Sequence, residues 1–209
     1  MERYLTIVGR AEAEFTERRS RFLSVALPVA NEKEALAALA ERRSSYWDAT
    51  HNVYAYVLRE GQVRRYSDDA EPQGTAGIPT LEVLNRAGVT DVCVITTRYF
   101  GGILLCAGGL VRAYAHAAAL ALEAAGIVTM APVTFCTMTC EYFLFGKLDA
   151  LLASFGAIER TNDFAEGVTL RFAVESERVA ALAAAVNDAA AGQVRLLTGD
   201  EAYRPVAKK

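Results

Sequence analysis

Residues 91–112 read DVCVITTRYFGGILLCAGGLVR, and this segment sets the architecture of the first half of the chain. Its opening run, Asp91–Thr97, is almost wholly apolar or small, which predicts a buried strand. The irregular loop Arg98–Gly108 follows, and Gly109–Ala125 then has the alanine and leucine content of a helix, closed by Gly126. A strand that leads through glycines into a helix N-terminus is an arrangement that can hold an anion.

A second loop of the same kind lies upstream, where residues 67–79 read SDDAEPQGTAGIP. Gly74 and Gly77 allow the backbone to turn tightly or to expose its N–H groups. Ile78-Pro79 opens a helix with proline in the first turn, where its missing N–H costs little. Because each loop meets a helix N-terminus, the pair predicts an anion-binding surface, with plain turn architecture as the open alternative.

Regular elements surround these loops. The alternation in His51–Leu58 predicts a half-buried strand, and Asn31 is a good N-cap for a helix that runs to about Arg43. Further strands are expected at Leu5–Val8, Arg21–Pro28 and Val63–Ser67, with a charged connection between the first two.

The sequence pattern changes after Pro132. The elements expected there are the strand Val133–Cys140, the helix Tyr142–Phe155, the strands Ala157–Asn162 and Val168–Val174, the helix Glu177–Ala190 and the strand Gln193–Glu201. This β-α-β-β-α-β order is typical of a ferredoxin-like domain. We therefore expect an α+β protein with one domain at residues 1–130, which carries both glycine loops, and a ferredoxin-like domain at residues 131–209.

Bulk composition narrows the class of protein. Hydrophobic residues make up 53% of the 209 residues and charged residues 22%, which indicates a globular chain able to bury a core. The net charge is −3, so nucleic-acid binding would depend on a local basic patch. The chain starts without an apolar signal core, has no run long enough for a transmembrane helix, and has no CxxC pair among its four cysteines. These features predict a cytoplasmic protein with reduced thiols and no membrane partner.

Several motifs resemble, in order along the chain, those of the IMPACT/YigZ family. The segments DDAEPQGTAGIP at 68–79, TRYFGG at 97–102 and AGGLVRAY at 107–114 are similar to the family pattern DDGEPSGTAGxP … RYFGGxKLGxGGLxRAY. The segments Arg19–Phe22 and Ala49–Tyr56 resemble two further family segments, a basic-Ser-Arg-Phe run and an AxHNxYAY strand.

This resemblance implies a fold for each domain and a role in translation. The N-terminal domain would be similar to domain 2 of a small-subunit ribosomal protein and to domain IV of elongation factor G. The C-terminal domain would be similar to elongation factor G domain V. Eukaryotic members of the family regulate translation by binding a partner of an initiation-factor kinase, and a nucleic-acid or ribosome role is usually proposed for the bacterial members.

The chain departs from the family pattern at four positions in the two loops. It has Ala70, Gln73, Leu104 and Cys106 where the pattern has glycine, serine, lysine and glycine. The loss of lysine at position 104 removes a cation from the loop that would face a phosphate. The Cys106 side chain adds a Cβ where a glycine could have used a positive φ.

The sequence predicts a nucleic-acid or anion-binding site rather than a catalytic centre, a metal site or a cofactor site. The expected site residues are Arg98, Gly101, Gly102, Gly108, Gly109, Arg112, Thr75 and Gly74, with Asp68, Asp69 and Glu71 as an adjacent acidic cluster. We expect the two loops to meet in space, with Arg98 and Arg112 gripping a phosphate in bidentate fashion. The alternative is that one arginine pairs with Asp69 or Glu71 and simply holds the loops together.

Three functions are compatible with the sequence. The first is a non-enzymatic, translation-linked regulator that binds RNA, the ribosome or a translation-associated protein, with no signal specific to DNA. The second is an enzyme or binding module for a small phosphorylated ligand, using the glycine loops and the acidic cluster. The third is a protein–protein adaptor without an anion site. The basic clusters at 18–21 and 64–65 would support nucleic-acid binding only if they converge in space.

Overall fold

The computed structural model of the protein describes residues 2–206. Residues 4–129 form one compact unit, called the N-terminal unit, and residues 130–206 with Glu2 and Arg3 form the C-terminal unit. Helices and antiparallel strand pairs occur in both, so the predicted α+β class is confirmed. Met1 and residues 207–209 of the predicted domain ranges lie outside the described part of the chain.

A five-stranded antiparallel sheet forms the centre of the N-terminal unit, in the order β2-β3-β6-β4-β5. Its strands are β2 (Ala11–Glu17), β3 (Ser20–Pro28), β4 (His51–Val57), β5 (Arg64–Ser67) and β6 (Val92–Tyr99). A separate strand, β1 (Tyr4–Ile7), precedes them, and β7 (Ile127–Cys140) runs from the end of this unit into the C-terminal unit. β6 is buried along nearly its whole length, as its apolar sequence predicts for a central strand.

Helices cover both faces of this sheet, so its core has two layers. α1 (Glu32–Ser45) packs on one face, against Cys93 and Ile95 of β6. α2 (Gly77–Ala87) and α3 (Ala107–Ala125) pack on the opposite face, against Val92 and Val94. The alternation of side chains along β6 therefore assigns its odd-numbered residues to one layer and its even-numbered residues to the other.

The ends of two helices follow from local sequence. Asn31 caps α1 as predicted, with its Oδ1 accepting a hydrogen bond from the Glu34 amide at 3.0 Å. α3 ends at Gly126, which has a φ of +68° that suits glycine. α3 begins at Ala107, two residues earlier than predicted, so Gly108 belongs to its first turn rather than to the preceding loop.

The charged connection expected between the first two strands is itself a strand. β2 has the sequence AEAEFTE and pairs with β3 through a two-residue turn at Arg18 and Arg19, whose φ angles are 45° and 64°. Ala11 and Phe15 of β2 pack against the layer that contains α3. The glutamates between them have a low intrinsic preference for strands, but charged side chains suit an edge strand because they oppose pairing with another chain.

The C-terminal unit has the predicted β-α-β-β-α-β order. After β7 it contains α4 (Tyr142–Ser154), β8 (Ile158–Phe164), β9 (Val168–Glu175), α5 (Val179–Ala189) and β10 (Leu197–Val206). The strands lie in the order β10-β7-β9-β8, and both helices contribute buried leucines and valines to one core. β7 begins at Ile127 rather than Val133, so Pro132 lies within a strand and not at its start.

Candidate functional site at the loop end of the N-terminal unit

Both glycine-rich loops lie at one end of the five-stranded sheet, called the loop end here. β3 starts at this end at Ser20, β4 starts there at His51, and β6 finishes there at Tyr99. Loop one (residues 68–76) connects β5 to α2, and loop two (residues 100–106) connects β6 to α3. The antiparallel register of the three central strands therefore brings residues far apart in sequence to a common surface.

A buried ion pair links loop one to the end of β6, directly before loop two. Arg98, the last but one residue of β6, donates from Nη1 to Glu71 Oε1 of loop one at 2.6 Å. The two side chains are only 6% and 3% exposed. The predicted meeting of the two loops is confirmed by this contact. For Arg98 the alternative role holds, in which an arginine pairs with an acidic residue of loop one and holds the loops together. Its guanidinium is directed at Glu71 rather than at solvent.

Neighbouring groups complete the environment of this ion pair. Tyr114 of α3 donates its hydroxyl to the same Glu71 Oε1 at 2.7 Å, and Arg98 Nη2 donates to Ser20 Oγ at 3.3 Å. His51 Nε2 lies 3.7 Å from Glu71 Oε1. Burial, and then the Glu71 carboxylate, raise the pKa of the Tyr114 phenol far above its ordinary value, so Tyr114 remains a donor. The arrangement is an internal anion site in which Glu71 is the anion, and within the described residues Arg98 Nε is buried without a hydrogen-bond partner.

Loop one also supplies its own anion to the N-terminus of α2. The Asp68 carboxylate accepts hydrogen bonds from the amides of Gly74 at 2.9 Å, Ala76 at 3.0 Å and Gly77 at 2.8 Å. The Thr75 hydroxyl donates to the Pro72 carbonyl at 2.6 Å. This corrects the expected role of Gly74 and Thr75 as ligands of an external anion, because both are already engaged within the loop.

Removing the Asp68 carboxylate should destabilise the protein and open an anion site. Asp68→Ala leaves three amides at a helix N-terminus without an acceptor, so we expect a loss of about 2 kcal/mol in unfolding free energy. Added sulfate should recover part of this loss in the variant more than in the wild type, since it can occupy the vacated amides. Urea titration with and without sulfate measures both effects. Glu17→Ala, at an exposed position, is the control, and an equal loss there would contradict the assignment.

The remaining member of the acidic cluster, Asp69, holds loop one to β4. Its Oδ2 accepts the Asn52 amide at 2.6 Å, its other oxygen accepts from Arg43, and its carbonyl contacts His51 Nδ1 at 2.7 Å. Asp68, Asp69 and Glu71 thus have separate partners and do not converge on a common point. Within residues 2–206 no group of three or more histidine, cysteine or acidic side chains is placed to hold a metal ion.

Ala70 occupies a left-handed backbone conformation with a φ of 68°, at the position where the family pattern has glycine. Ala70→Gly should therefore stabilise the protein by about 0.5 kcal/mol, because relief of the Cβ strain exceeds the added entropy of the unfolded chain. The matched control is Ala119→Gly on the exposed side of α3, which should lose about 1 kcal/mol. A destabilisation of similar size at both positions in urea unfolding would refute the strain at Ala70.

Close packing of loop two against the β2–β3 turn explains one of its glycines. A Cβ on Gly101 would lie 2.1 Å from the carbonyl carbon and oxygen of Arg19. Gly102 has a φ of +82° and open space around it. Cys106 has a φ of −68°, so the expected conflict between its Cβ and a positive φ does not arise.

The N-terminus of α3 is more open to solvent than the N-terminus of α2. Its N-cap, Cys106, makes no side-chain capping hydrogen bond, and Gly108 and Arg112 are exposed. The Arg112 guanidinium folds back over this turn, since a Cβ on Gly108 would lie 3.6 Å from Arg112 Nη1. Arg112 also lines a cavity of about 220 Å³ with Phe15, Glu17, Gly109, Ala113 and His116. Arg98 and Arg112 therefore differ in kind: one is buried in an ion pair and the other faces solvent.

The two basic clusters do not converge. Arg18 and Arg19 form the exposed β2–β3 turn at the loop end, where Arg19 lies against Gly101. Arg64 and Arg65 lie on β5, where Arg64 pairs in register with Val57 at the opposite end of β4 and donates to Asn85. Only the first cluster can act together with loop two.

The sequence analysis did not predict two residues that contact the ion pair, Tyr114 and Ser20. Tyr114 lies on the buried stripe of α3 with Leu110, Ala117 and Ala118, and a tyrosine on such a stripe needs a hydrogen-bond partner for its hydroxyl. That signal was available in the sequence. Ser20 gives no comparable signal, because a short strand-edge serine becomes a ligand of Arg98 only through the pairing of β3 with β6.

Comparison with known families and proteins finds relatives over most of the chain. Residues 18–122 match the Impact N-terminal domain, and residues 138–193 match a domain of unknown function (DUF1949). The chain is 32% identical to IMPACT family member YvyE of Bacillus subtilis, over 96% of this chain and 93% of that protein. It is 34% identical to IMPACT family member YigZ of Escherichia coli, over 88% and 92% of the two chains.

More distant and structural relatives agree with these matches. Protein IMPACT of Homo sapiens is 33% identical over 43% of this chain and 29% of that protein. A solved structure described as a crystal structure of a hypothetical protein superposes with a TM-score of 0.61 at 32% identity, covering 96% of this chain and 98% of the other. Between residues 2 and 206, none of the helices is both long and apolar enough to span a bilayer.

Proposed function

Since this chain belongs to the IMPACT family, we propose that it is a non-enzymatic, translation-linked regulator that binds RNA, the ribosome or a translation-associated protein through its N-terminal unit. The translation link rests on the family resemblance, in which eukaryotic members regulate translation. The binding surface is the loop end, where both family motifs lie.

One observation carries this assignment: the loop end has cations without acidic partners in a chain whose net charge is −3. Arg18, Arg19 and Arg112 are exposed, and within the described residues none of their side chains has an ion-pair or hydrogen-bond partner. Such local positive charge steers an acidic partner to this end of the unit.

The loop carboxylates favour this proposal over an enzyme for a small phosphorylated ligand. Asp68, Asp69 and Glu71 each accept hydrogen bonds from the protein itself, and so do not form a shared acid–base or cation-binding group. The amides of loop one are directed at Asp68. The groups still open to a partner are those of loop two, the β2–β3 turn and the first turn of α3.

Co-sedimentation with ribosomal subunits at several salt concentrations tests the proposal. We expect the wild type to co-sediment and Arg18→Asn/Arg19→Gly/Arg112→Ala to be depleted from the ribosomal fraction, because asparagine and glycine keep the positive φ of the turn while three cations are lost. If the contact is with phosphates, the slope of log affinity against log salt should flatten by about one per contact removed. Arg64→Ala/Arg65→Ala removes like charges from the other end and should leave co-sedimentation unchanged. No co-sedimentation of the wild type at low salt would contradict binding to the ribosome or its RNA.

A further inference from the structure

Loop two and the segment before β4 expose large apolar side chains to solvent. Leu104 is 81% exposed and Trp47 is 83% exposed, and Phe100 and Ile103 are exposed as well. These four residues are called the apolar tip here. Solvent exposure of this much aliphatic and aromatic surface in one region is the usual mark of an interaction site.

Backbone and side-chain hydrogen bonds bring the parts of the apolar tip together. The Asp48 carboxylate, next to Trp47, accepts the Tyr99 hydroxyl at 2.8 Å. The Phe100 amide donates to Thr50 Oγ1 at 3.1 Å, and the Thr50 amide donates to the Arg98 carbonyl at 2.9 Å. Residues 46–50 therefore run beside the end of β6, from which loop two projects.

A cationic rim borders the apolar tip on the side of loop two. Arg19 stands against Gly101 of loop two, Arg18 precedes it in the β2–β3 turn, and Arg112 lies near the start of the helix that follows loop two. An apolar centre with tryptophan and aromatic residues, bordered by arginines, has the composition of a protein–protein interface. The rim contrasts with the overall net charge of −3, so charge complementarity requires an acidic partner.

We infer that the apolar tip docks on an acidic protein surface with an apolar centre, such as an amphipathic helix that carries leucines on one face and glutamates beside them. This inference rests on the proposed function and specifies its partner as a protein. The leucine and isoleucine side chains offer no ring on which a base can stack, and the position of Leu104, where the family pattern has lysine, presents no charge to a phosphate. A symmetric contact with a second copy would bring the two cationic rims against each other.

The chain contains a single tryptophan, Trp47, which makes occupancy of the apolar tip directly observable. The full-length protein is titrated with three fluorescently labelled probes: a Leu/Glu amphipathic peptide, the same peptide with lysine in place of glutamate, and a short oligouridylate. Anisotropy of the probe reports binding, and the emission of Trp47 reports whether the tip is covered. We expect the acidic peptide to bind and to shift the Trp47 emission to the blue. Its affinity should fall as the salt concentration rises. The other two probes should bind at least about tenfold more weakly.

Substitutions locate the contact and separate the partner classes. Leu104→Ser should weaken binding of the acidic peptide at least about tenfold. Leu197 is an exposed leucine of β10, and Leu197→Ser should not change the affinity for the peptide. Leu104→Lys should also weaken binding of the acidic peptide. If nucleic acid were the true occupant, the same substitution would strengthen binding of the oligouridylate. Far-ultraviolet circular dichroism confirms that each variant is folded.

Each contrary result overturns the inference in a recognisable way. Tighter binding of the oligouridylate, improved further by Leu104→Lys, would assign the surface to RNA. Equal binding of the acidic and basic peptides, or no binding of either below about 1 mM, would remove the acidic docking partner. Sedimentation that shows self-association abolished by Leu104→Ser would assign the tip to a second copy. If ribosome co-sedimentation depends on Arg112 but not on Leu104, the proposed function stands and this inference fails.

Discussion

Gly101→Ala is expected to lower the unfolding free energy by about 4 kcal/mol or more, and to leave much of the protein unfolded at 37 °C. The added Cβ would lie 2.1 Å from the carbonyl carbon and oxygen of Arg19 and 2.5 Å from its Cβ. All of these atoms belong to or adjoin the backbone of a short hairpin turn, so they cannot rotate away as the end of a long side chain could. Urea unfolding followed by far-ultraviolet circular dichroism measures the loss.

The adjacent glycine provides the control for this prediction. Gly102 has a φ of +82° but no neighbouring atom within 4 Å of an added Cβ, so Gly102→Ala should cost only about 1 kcal/mol. The two substitutions have the same chemistry and differ by one position. Equal losses at both would show that backbone conformation, not contact with the β2–β3 turn, is the reason for glycine in loop two.

Arg98→Ala should destabilise the protein by about 3–5 kcal/mol, because it leaves the Glu71 carboxylate buried without its cation. Tyr114 would still donate to Glu71, but one neutral hydrogen bond does not replace an ion pair. The matched control is Arg112→Ala, which removes an exposed arginine from the same surface and should change stability by less than about 0.5 kcal/mol. Chemical denaturation of the two single variants measures the difference.

The combined removal of both charges distinguishes an ion pair from simple packing. If Glu71 is destabilising once it is unpaired, Arg98→Met/Glu71→Gln should be more stable than Arg98→Met alone, since the unpaired buried charge is gone while the side-chain volumes are the same. A double variant that loses as much as the sum of its single variants would indicate that the two side chains contribute independently. In that case the link between the loops would not depend on the pairing of their charges.

The sequence predicted what depends on local pattern. The buried run of β6, the Asn31 cap and the β-α-β-β-α-β order are encoded within short windows, and each is present in the structure. The contact between the two loops was also predictable, since both follow strands of one sheet. The order of strands and helices along the chain also predicted the α+β class, which the structure confirms.

What the sequence did not determine is which partner each polar group takes. The glycines of loop one predict binding of an external anion, but their amides bind the Asp68 carboxylate of the same loop. Asp68 lies six residues before Gly74. Arg98 reads as a phosphate ligand, but the pairing of β6 with β3 and β4 places it beneath the surface. β2 was obscured because its glutamates weaken the strand propensity of an otherwise alternating segment.

The distribution of the cysteines has a consequence for handling the protein. Cys93, Cys136 and Cys140 are buried, and burial raises the pKa of the Cys93 thiol to about 12, whereas Cys106 is exposed at the start of α3. We therefore expect air oxidation of a concentrated stock to join two copies through a Cys106–Cys106 disulfide, with each copy losing one thiol hydrogen to the oxidant. Because such a covalent pair would obstruct loop two in both copies, a preparation stored without reductant should lose partner binding and regain it on treatment with dithiothreitol.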